Sequence, residues 1–258
     1  MSIRSTIAYM YDGSFEGFMC CVFESVYEKE MPVAIMPNHA IQGLLYETKW
    51  IETDAYKAER VLKSIPKRIS REALYLVSRG FLTCLAEKEL YLLKFLRIGY
   101  KHGAKITNML AHPVVGTVIK AVKYLEQEAH KYTGFVRFTD YGTVLVSEIE
   151  PKNQVLPLIA AHFTDRYNSE AFMIYDKTHK NVLLYANGRS EIVPMEEIAL
   201  PKIQQEELYY RQLWRKFYKT IGIKGRYNPK CRMNFMPKRY WPELPEMEQR
   251  EEQMLVTP

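Results

Sequence analysis

The sequence predicts an α+β protein with a helical N-terminal half, an antiparallel ββαββ middle, and a basic C-terminal helix followed by an extended tail. Up to about residue 133, apolar residues recur mainly at three- and four-residue steps, which is typical of helices with one buried face. From residue 135 onwards, apolar and polar residues alternate in short runs, which is typical of strands. We place a soft boundary near residue 110, so that the two regions span residues 1–110 and 111–258.

The composition is that of a globular protein without membrane segments. Of the 258 residues, 47% are hydrophobic and 26% are charged, which is enough to build a sizeable core. The longest promising apolar window, Ile106 to Ile119, is free of charge for only fourteen residues. A membrane-spanning helix needs about 20 apolar residues, and no secretory signal is visible at the N-terminus. We therefore expect a cytoplasmic protein with no membrane contact.

The four cysteines argue against a metal site built on thiolates. They are Cys20, Cys21, Cys84 and Cys231, and none of their spacings is CxxC. Zinc and iron–sulfur sites usually need such pairs, and no HxxxH or HExxH spacing is present either. We therefore expect no metal and no other cofactor. In a reducing cytoplasm these thiols act mostly as small apolar side chains.

A strand, a turn and a helix open the chain. Thr6 to Tyr11 predicts the strand, and Ser14 is placed to cap a helix that ends near Glu30. The turn between them could bind an anion, since a helix N-terminus attracts negative charge. However, the chain here lacks both GxGxxG and GxxxxGK[ST], and Asp12 would repel a phosphate. The favoured interpretation is a capped turn that ties strand to helix, with Asp12 as a buried polar anchor.

Helices dominate the rest of the first region. Val33 to Met36, bracketed by two prolines, predicts a second short strand, whereas the stretch from Asn38 to Ile51 is ambiguous. N-cap residues, apolar spacing and helix-stopping Gly or Pro predict four further helices, at residues 53–62, 71–84, 87–103 and 113–132.

The middle of the chain predicts two hairpins around one helix. Alternating runs at 135–139 and 143–149 flank a turn, and runs at 172–175 and 182–185 flank another. Between the two pairs, Pro157 begins an apolar helical stretch, PLIAAHFTDRYN. This order predicts an antiparallel sheet with a helix on one face.

The sharpest signal is a basic segment rich in aromatic residues, Arg211 to Trp241. Residues 211–240 include ten Lys or Arg and no Asp or Glu, so they carry +10, and the rest of the chain carries −4 of the net +6. Such local charge favours a polyanion as the partner. A helix is predicted from about residue 203 to 221, and one ridge of it is formed by Arg211, Arg215 and Lys219.

Nucleic acid is the polyanion that this segment fits best, because cations can hold phosphates while rings stack on bases at about 1–3 kcal/mol each. Trp214, Phe217 and Phe235 are predicted to lie in the core. The alternative is a solvated basic face whose aromatic side chains are all core. The residues predicted to bind nucleic acid are Arg211, Arg215, Lys216, Lys219, Lys224, Arg226, Lys238, Arg239 and the exposed rings Tyr240 and Trp241.

Histidines and their neighbours are the candidates for catalysis. His162 and Arg166 lie four residues apart and share a helix face, and Asp165 precedes Arg166. A histidine near a carboxylate can act as a general acid or base near neutral pH. His130 ends the helix before the first hairpin, and the sequence does not show whether it meets His162. The commoner role for each is structural, with the ring bound to a backbone carbonyl.

Four blocks of the chain carry a resemblance to a known family. They are YDGSFEGF (11–18), EAHKYTGFVRF (128–138), EIEPKNQVLPLIAAHFTDRY (148–167) and LWRKFYKTIGIKGRYNPKCRMNFMPKRYWPELPE (213–246). In these blocks the chain resembles a bacterial family of DNA metabolism and DNA repair proteins, built around a domain of unknown function. Related chains look like the C-terminal part of fusions with a uracil-DNA glycosylase domain, and stand-alone members are expected beside a radical S-adenosylmethionine protein. The resemblance implies work on DNA bases or lesions together with a partner.

The leading hypothesis is a DNA-binding accessory protein that presents a damaged or modified base to a partner enzyme. A radical S-adenosylmethionine partner would carry the iron–sulfur cluster that this chain lacks. One alternative is an enzyme that acts on a nucleobase or its glycosidic bond through His130, His162 or Asp165. Another is a scaffold whose basic segment docks an acidic protein. Charge and stacking do not distinguish RNA from DNA, and whether the protein is an enzyme stays open.

Overall fold

The structure is a computed structural model that describes residues 6–37, 46–198, 200 and 203–247, apart from the side chain of Lys224. Contacts between Cα atoms divide the chain into two compact units, Met1–Leu125 and Glu126–Pro258. The division falls inside the helix Pro113–Phe135.

A three-stranded parallel sheet lies in the first unit. Its strands are β1 (Ile7–Tyr11), β2 (Ala34–Pro37) and β3 (Glu47–Trp50), in the order β2-β1-β3. The predicted strands near residues 6–11 and 33–36 are confirmed. β3 lies in the stretch whose sequence was ambiguous, of which residues 38–45 are outside the described part. β1 is buried along most of its length, as expected for the central strand of a parallel sheet.

The turn after β1 is closed by side chains and leads into helix α1 (Phe15–Tyr27). Ser14 caps α1 by accepting a hydrogen bond from the Gly17 backbone N–H at 2.9 Å, as predicted. Asp12 accepts bonds from the Ser14 hydroxyl at 2.7 Å and from the Thr53 hydroxyl at 2.8 Å. A Cβ atom at Gly17 would lie 2.2 Å from Asp12 Oδ1, so a side chain there would displace the Asp12 carboxylate from these bonds. Asp12 itself is exposed, so the prediction of a buried anchor is wrong.

Three further helices and the first part of a fourth follow in the first unit. They are α2 (Ala55–Arg68), α3 (Arg71–Phe81), α4 (Lys88–His102) and the first part of α5 (Pro113–Phe135). α2 continues past residue 62, where it was predicted to end, and contains Pro66. The apolar faces of these helices form one core with α1 and the sheet, to which α5 contributes Val115, Val118 and Val122.

A five-stranded mixed sheet lies in the second unit. The chain forms β4 (Thr139–Asp140), β5 (Leu145–Ile149), helix α6 (Leu156–Arg166), β6 (Phe172–Asp176), β7 (Asn181–Ala186) and β8 (Arg189–Pro194). The spatial order is β4-β5-β6-β7-β8, and β5 and β6 are parallel, in the register Ser147 to Ile174. The other neighbouring pairs are antiparallel.

The predicted α+β class is confirmed, but the antiparallel ββαββ arrangement is wrong. α6 carries the chain back to the end of the sheet where β5 began, so β6 must run in the same direction as β5. The first hairpin is also shorter than predicted, because residue 135 still belongs to α5. β8 was missed, since the strand is exposed at nearly every position and has no buried alternation.

The basic segment contains helix α7 (Gln205–Ile221), a short helix α8 (Pro229–Phe235) and a 3-10 turn, Lys238–Glu243. The predicted helix near residues 203–221 is confirmed, whereas the chain after it is more helical than the prolines suggested. Across the described residues of both units, no helix is both long and apolar enough to span a bilayer.

Candidate nucleic-acid interface

Helix α7 turns its arginine ridge toward the rest of the second unit. Arg211 binds the Glu207 carboxylate at 2.9 Å and donates to the Thr139 hydroxyl at 2.5 Å. Arg215 donates from Nε to the Pro245 carbonyl at 2.9 Å. The first two members of the ridge that was predicted to meet phosphates therefore hold α7 in place. Because Arg211 and Arg215 are bound within the unit, their side chains are not presented to a ligand.

The aromatic side chains of α7 and α8 face solvent instead. Trp214 is 41% exposed, Phe217 51% and Phe235 76%, so the prediction that these three rings lie in the core is wrong. The physical reason is the orientation of α7, which contacts the unit through its polar side and contributes no buried residue. Trp214 and Phe217 lie 5.7 Å apart between ring centroids and form one aromatic stripe.

Further rings and cations extend this surface. Lys216 and Lys219 are exposed on α7, flanking the aromatic stripe, and Arg226 and Lys230 are exposed beyond its end. The side chain of Lys224, also predicted to bind, lies outside the described part. We call the following set the α7–α8 surface: rings Tyr209, Tyr210, Trp214, Phe217, Tyr227 and Phe235, with cations Lys216, Lys219, Arg226 and Lys230.

The 3-10 turn behaves in the opposite way, because Tyr240 is buried at 1% exposure. Its ring packs edge-on against Tyr132 at 5.1 Å and at a tilt of 51° against Phe135 at 5.0 Å. The prediction that Tyr240 is exposed for stacking is therefore wrong. Arg239 covers the same ring, with its guanidinium carbon 4.5 Å from the centroid, and also donates to the Tyr240 hydroxyl.

The reason for this burial is Glu128, a carboxylate that the sequence reasoning missed. Its side chain is fully buried and pairs with Arg239 at 2.7 Å. It also accepts bonds from the backbone N–H groups of Lys152 at 3.0 Å and Asn153 at 2.9 Å, and from the Asn153 side-chain amide at 2.5 Å. A buried charge needs this kind of compensation. Arg239, predicted to bind phosphate, is thus the counter-ion of a buried acid.

A signal for Glu128 was present in the sequence. It follows Leu125 by three residues and precedes Tyr132 by four, so it occupies the buried face of α5. A carboxylate at core spacing predicts a cationic or hydrogen-bonding partner from elsewhere in the chain. Three of the four blocks that carry the family resemblance meet at this carboxylate, through Glu128, Asn153 and Arg239.

A second group of charges lies where β5 and β6 end. Lys177 binds Glu150 at 2.8 Å and lies 3.8 Å from Glu148. Glu243, from the 3-10 turn, is half-buried beside them, and burial raises its pKa to about 7. The charge of Lys177 lowers this pKa and that of Glu150 raises it further. The turn is therefore held by two acids, Glu128 and Glu243, neither of which was identified from the sequence.

Trp241 and Lys238 contact each other within the basic segment. Trp241 is half-buried and donates from its indole nitrogen to the Met236 carbonyl at 3.0 Å. Arg232 and Lys238 lie over its ring, 5.1 Å and 5.9 Å from the centroid. This ring is covered by the chain's own cations, and Lys238 stays exposed.

The structure places the catalytic candidates at the surface. His130, His162, Asp165 and Arg166 are all exposed. His162 contacts Phe163 edge-on at 4.9 Å, and Arg166 lies 5.9 Å from the centroid of the Tyr167 ring. No hydrogen bond or ring contact within the described ranges joins the two histidines or pairs His162 with Asp165. Their catalytic roles stay predictions.

Two shallow surface grooves lie away from these candidates. One, of about 450 Å³, runs along α3 past Tyr75, and another, of about 660 Å³, crosses strands β6 to β8 near Phe172 and Arg189. Neither is lined by His130 or His162. Among the described residues, no three His, Cys, Asp or Glu side chains come together as metal ligands.

Comparison with known proteins gave one match. A family model described as a domain of unknown function, DUF4130, matches residues 86–246, which include α4 to α6, the mixed sheet and the basic segment. No curated protein and no solved structure matches the chain.

Proposed function

The chain belongs to the family of the domain of unknown function DUF4130, and we propose that it is a nucleic-acid-binding protein whose α7–α8 surface stacks unpaired bases. The observation that carries this proposal is the exposure of rings among cations. Six aromatic side chains between residues 209 and 235 are each at least 41% exposed. No acidic residue interrupts the chain from 211 to 240.

Exposed rings are unusual on a helix that has apolar positions to bury. A protein gains about 1.5–3 kcal/mol by burying a large apolar side chain, so leaving Trp214 and Phe217 outside forgoes a stabilising contact. A base stacked on such a ring recovers a comparable energy, about 1–3 kcal/mol. The rings and the nearby cations Lys216 and Lys219 complement the two faces of single-stranded nucleic acid, its bases and its phosphates.

We propose further that the nucleic acid is DNA and that the protein works as an accessory in repair or base modification. In this role it would hold a damaged or modified base for a glycosylase or a radical S-adenosylmethionine partner. The support for this finer statement is the family resemblance of residues 128–167 and 213–246. Cys84 and Cys231 are exposed and are not joined in a disulfide, which fits a reducing cytoplasm.

The test compares stacking and charge on the full chain, with a labelled oligothymidine as the probe. Trp214→Ala/Phe217→Ala should weaken binding more than ten-fold, because two stacking contacts of about 1–3 kcal/mol each are lost. Lys216→Gln/Lys219→Gln should lower the log–log salt slope by about 1.4, as expected for two phosphate contacts on a single strand.

A matched control is available on α5. Lys120 and Lys123 have the same three-residue spacing as Lys216 and Lys219 and are also exposed on a helix. Lys120→Gln/Lys123→Gln should leave the salt slope nearly unchanged. If the α7 variants and this control bind oligothymidine equally well, the proposed function is wrong.

A second candidate function, docking of an acidic partner protein, is favoured by the aliphatic side chains beside the rings. Leu213 is 43% exposed, Ile221 58% and Ile223 60%, and none of these can stack on a base as a ring does. Leu213→Ala/Ile221→Ala should leave oligothymidine binding intact if nucleic acid is the partner. Purification free of nucleic acid, together with the absence of salt-dependent DNA binding, would favour the protein partner.

A further inference from the structure

We infer that the C-terminal ends of α2 and α4 form a second nucleic-acid-binding surface, one that contacts the phosphates of duplex DNA without stacking on bases. This inference extends the proposed function, since it assumes the same class of ligand. It concerns residues of the first unit alone, none of which belongs to the α7–α8 surface. The α2–α4 surface is defined as Lys67, Arg68, Lys101, His102 and Lys105.

Two stretches of the first unit lack acidic residues altogether. Residues 60–71 contain five Lys or Arg and no Asp or Glu, and residues 90–125 contain six and none. Together the two stretches carry +11, and acids elsewhere offset only part of this charge, so residues 1–125 keep a net charge of +5. The spacing of these cations alone does not show that the two stretches meet.

The fold brings the two stretches together at the last turns of α2 and α4. The hydroxyls of Ser64 and Tyr100 lie 2.5 Å apart, and a Cβ atom at Gly99 would lie 2.8 Å from Ile69. Gly103 has a φ of +63°, and its Cβ position is 4.0 Å from the Arg68 carbonyl oxygen. The basic ends of both helices therefore occupy one region of the surface.

Neutralisation of the helix ends does not account for this charge. Cations in the last turn interact favourably with a helix dipole, whose C-terminal end carries roughly −0.5 charge. Two such ends sum to about one negative charge, whereas Lys67, Arg68, Lys101 and Lys105 supply four positive charges. Within the described residues, the side chains of Lys67, Lys101 and Lys105 make no ion pair or hydrogen bond. The excess is open to an anionic partner.

The composition of this surface, four cations and one histidine with no Phe, Tyr or Trp, selects the form of the partner. Tyr100, the aromatic residue between the two helix ends, is half-buried and its hydroxyl is bound to Ser64. A duplex displays its phosphates while its bases are stacked inside, so a purely cationic surface fits it. The α7–α8 surface, with six exposed rings, fits unpaired bases instead.

The experiment uses the full chain and two labelled probes, a short blunt duplex and oligothymidine. Lys67→Gln/Lys101→Gln should lower the log–log salt slope for the duplex by about 1.8, since each phosphate contact contributes roughly 0.9. Gln is chosen over Glu so that no carboxylate is placed at a helix C-terminus. Far-UV circular dichroism checks that the variant is folded, and Lys120→Gln/Lys123→Gln is the charge-matched control.

Separate outcomes follow for the two proposals. The inference is overturned if Lys67→Gln/Lys101→Gln leaves the salt slope for the duplex unchanged, or lowers it no more than the control variant does. Binding of the variant to vesicles of anionic lipid does not alter that result. Even if this inference is overturned, loss of oligothymidine binding in Trp214→Ala/Phe217→Ala would still support the proposed function of the α7–α8 surface. Conversely, a reduced duplex slope with intact oligothymidine binding by the α7 variants would support this surface and reject the α7–α8 surface.

Discussion

Helix α7 and the 3-10 turn Lys238–Glu243 come from the same basic, aromatic segment, yet they place their rings on opposite sides. In both elements an arginine binds groups of the second unit. Arg211 of α7 binds Glu207 and Thr139, and Arg239 of the 3-10 turn binds Glu128. In the turn, however, Tyr240 follows its arginine inward and is 1% exposed, whereas the α7 rings stay outside. The difference teaches that a distant partner decides the burial of a ring. The turn meets the rings of Tyr132 and Phe135 beside the buried Glu128, whereas on α7 Trp214 donates to the buried side chain of Glu246 through its indole nitrogen and leaves its ring exposed.

The largest expected effect comes from removing a ring on each side of this comparison. Tyr240→Ala should lower the free energy of unfolding by about 3–5 kcal/mol, because a buried aromatic side chain leaves a cavity. Phe217→Ala, at a 51% exposed position, should change it by no more than about 0.5 kcal/mol. Urea unfolding followed by circular dichroism measures both. If the two variants lose the same free energy of unfolding, the rings of α7 and of the 3-10 turn do not differ in packing.

A smaller effect is expected from the acids that hold the arginines. Glu128→Gln should lower the free energy of unfolding by about 1–3 kcal/mol. The groups of Arg239 and Asn153 that surround this position are all donors, and the amide N–H₂ of glutamine would face them as a further donor. The control is Glu207→Gln, which alters the pair between Glu207 and Arg211 four residues apart. An exposed pair at this spacing is worth about 0.3–0.5 kcal/mol. The side chains of Glu207 and Arg211 are only 13% and 16% exposed, so the loss should be larger than that, but it should stay below the loss for Glu128→Gln because an amide oxygen can still accept from Arg211 Nε. The comparison fails if Glu207→Gln destabilises the protein as much as Glu128→Gln does.

A third effect, spread over a range of pH, is a pH dependence of the turn. Burial raises the pKa of Glu243 from 4.5 to about 7, so the folded protein holds a proton that the unfolded chain releases between these values. The free energy of unfolding should therefore fall as pH rises through this window. The charges that act on Glu243 are those of Lys177 and Glu150 after the strands and of Glu148 on β5. The Tyr132 hydroxyl on α5 also faces it and is neutral, because burial raises the pKa of that hydroxyl.

Glu243→Gln isolates that contribution, because an amide does not titrate. Its urea midpoint should vary less between pH 5 and pH 8 than that of the parent protein, with the parent losing stability toward pH 8. Glu150→Gln provides a comparison, since Glu150 is exposed and its charge raises the pKa of Glu243. A parent protein that gains stability as pH rises over this range would contradict the assignment.

Local features of the sequence were enough for much of the first unit and for the extent of α7. The Ser14 cap, the β1 strand and the start of α3 after Ser70 rest on neighbours within four residues, and each is present. The direction of β6 was not accessible in this way, because it depends on the path of α6 between two strands. β8 is exposed along most of its length, so it lacked the apolar alternation that marks a half-buried strand.

The charge of the segment 211–240, its rings and its helical spacing can be read from the chain alone, because they depend on composition and on neighbours a few residues away. Which of its side chains reach solvent depended on contacts across the fold. Glu128, more than a hundred residues earlier, pairs with Arg239 beside the buried Tyr240, while Trp214 donates its indole N–H to Glu246 at 3.0 Å and keeps its ring 41% exposed. Burial is a property of the assembled neighbours, and long-range pairing of charges is absent from any local pattern.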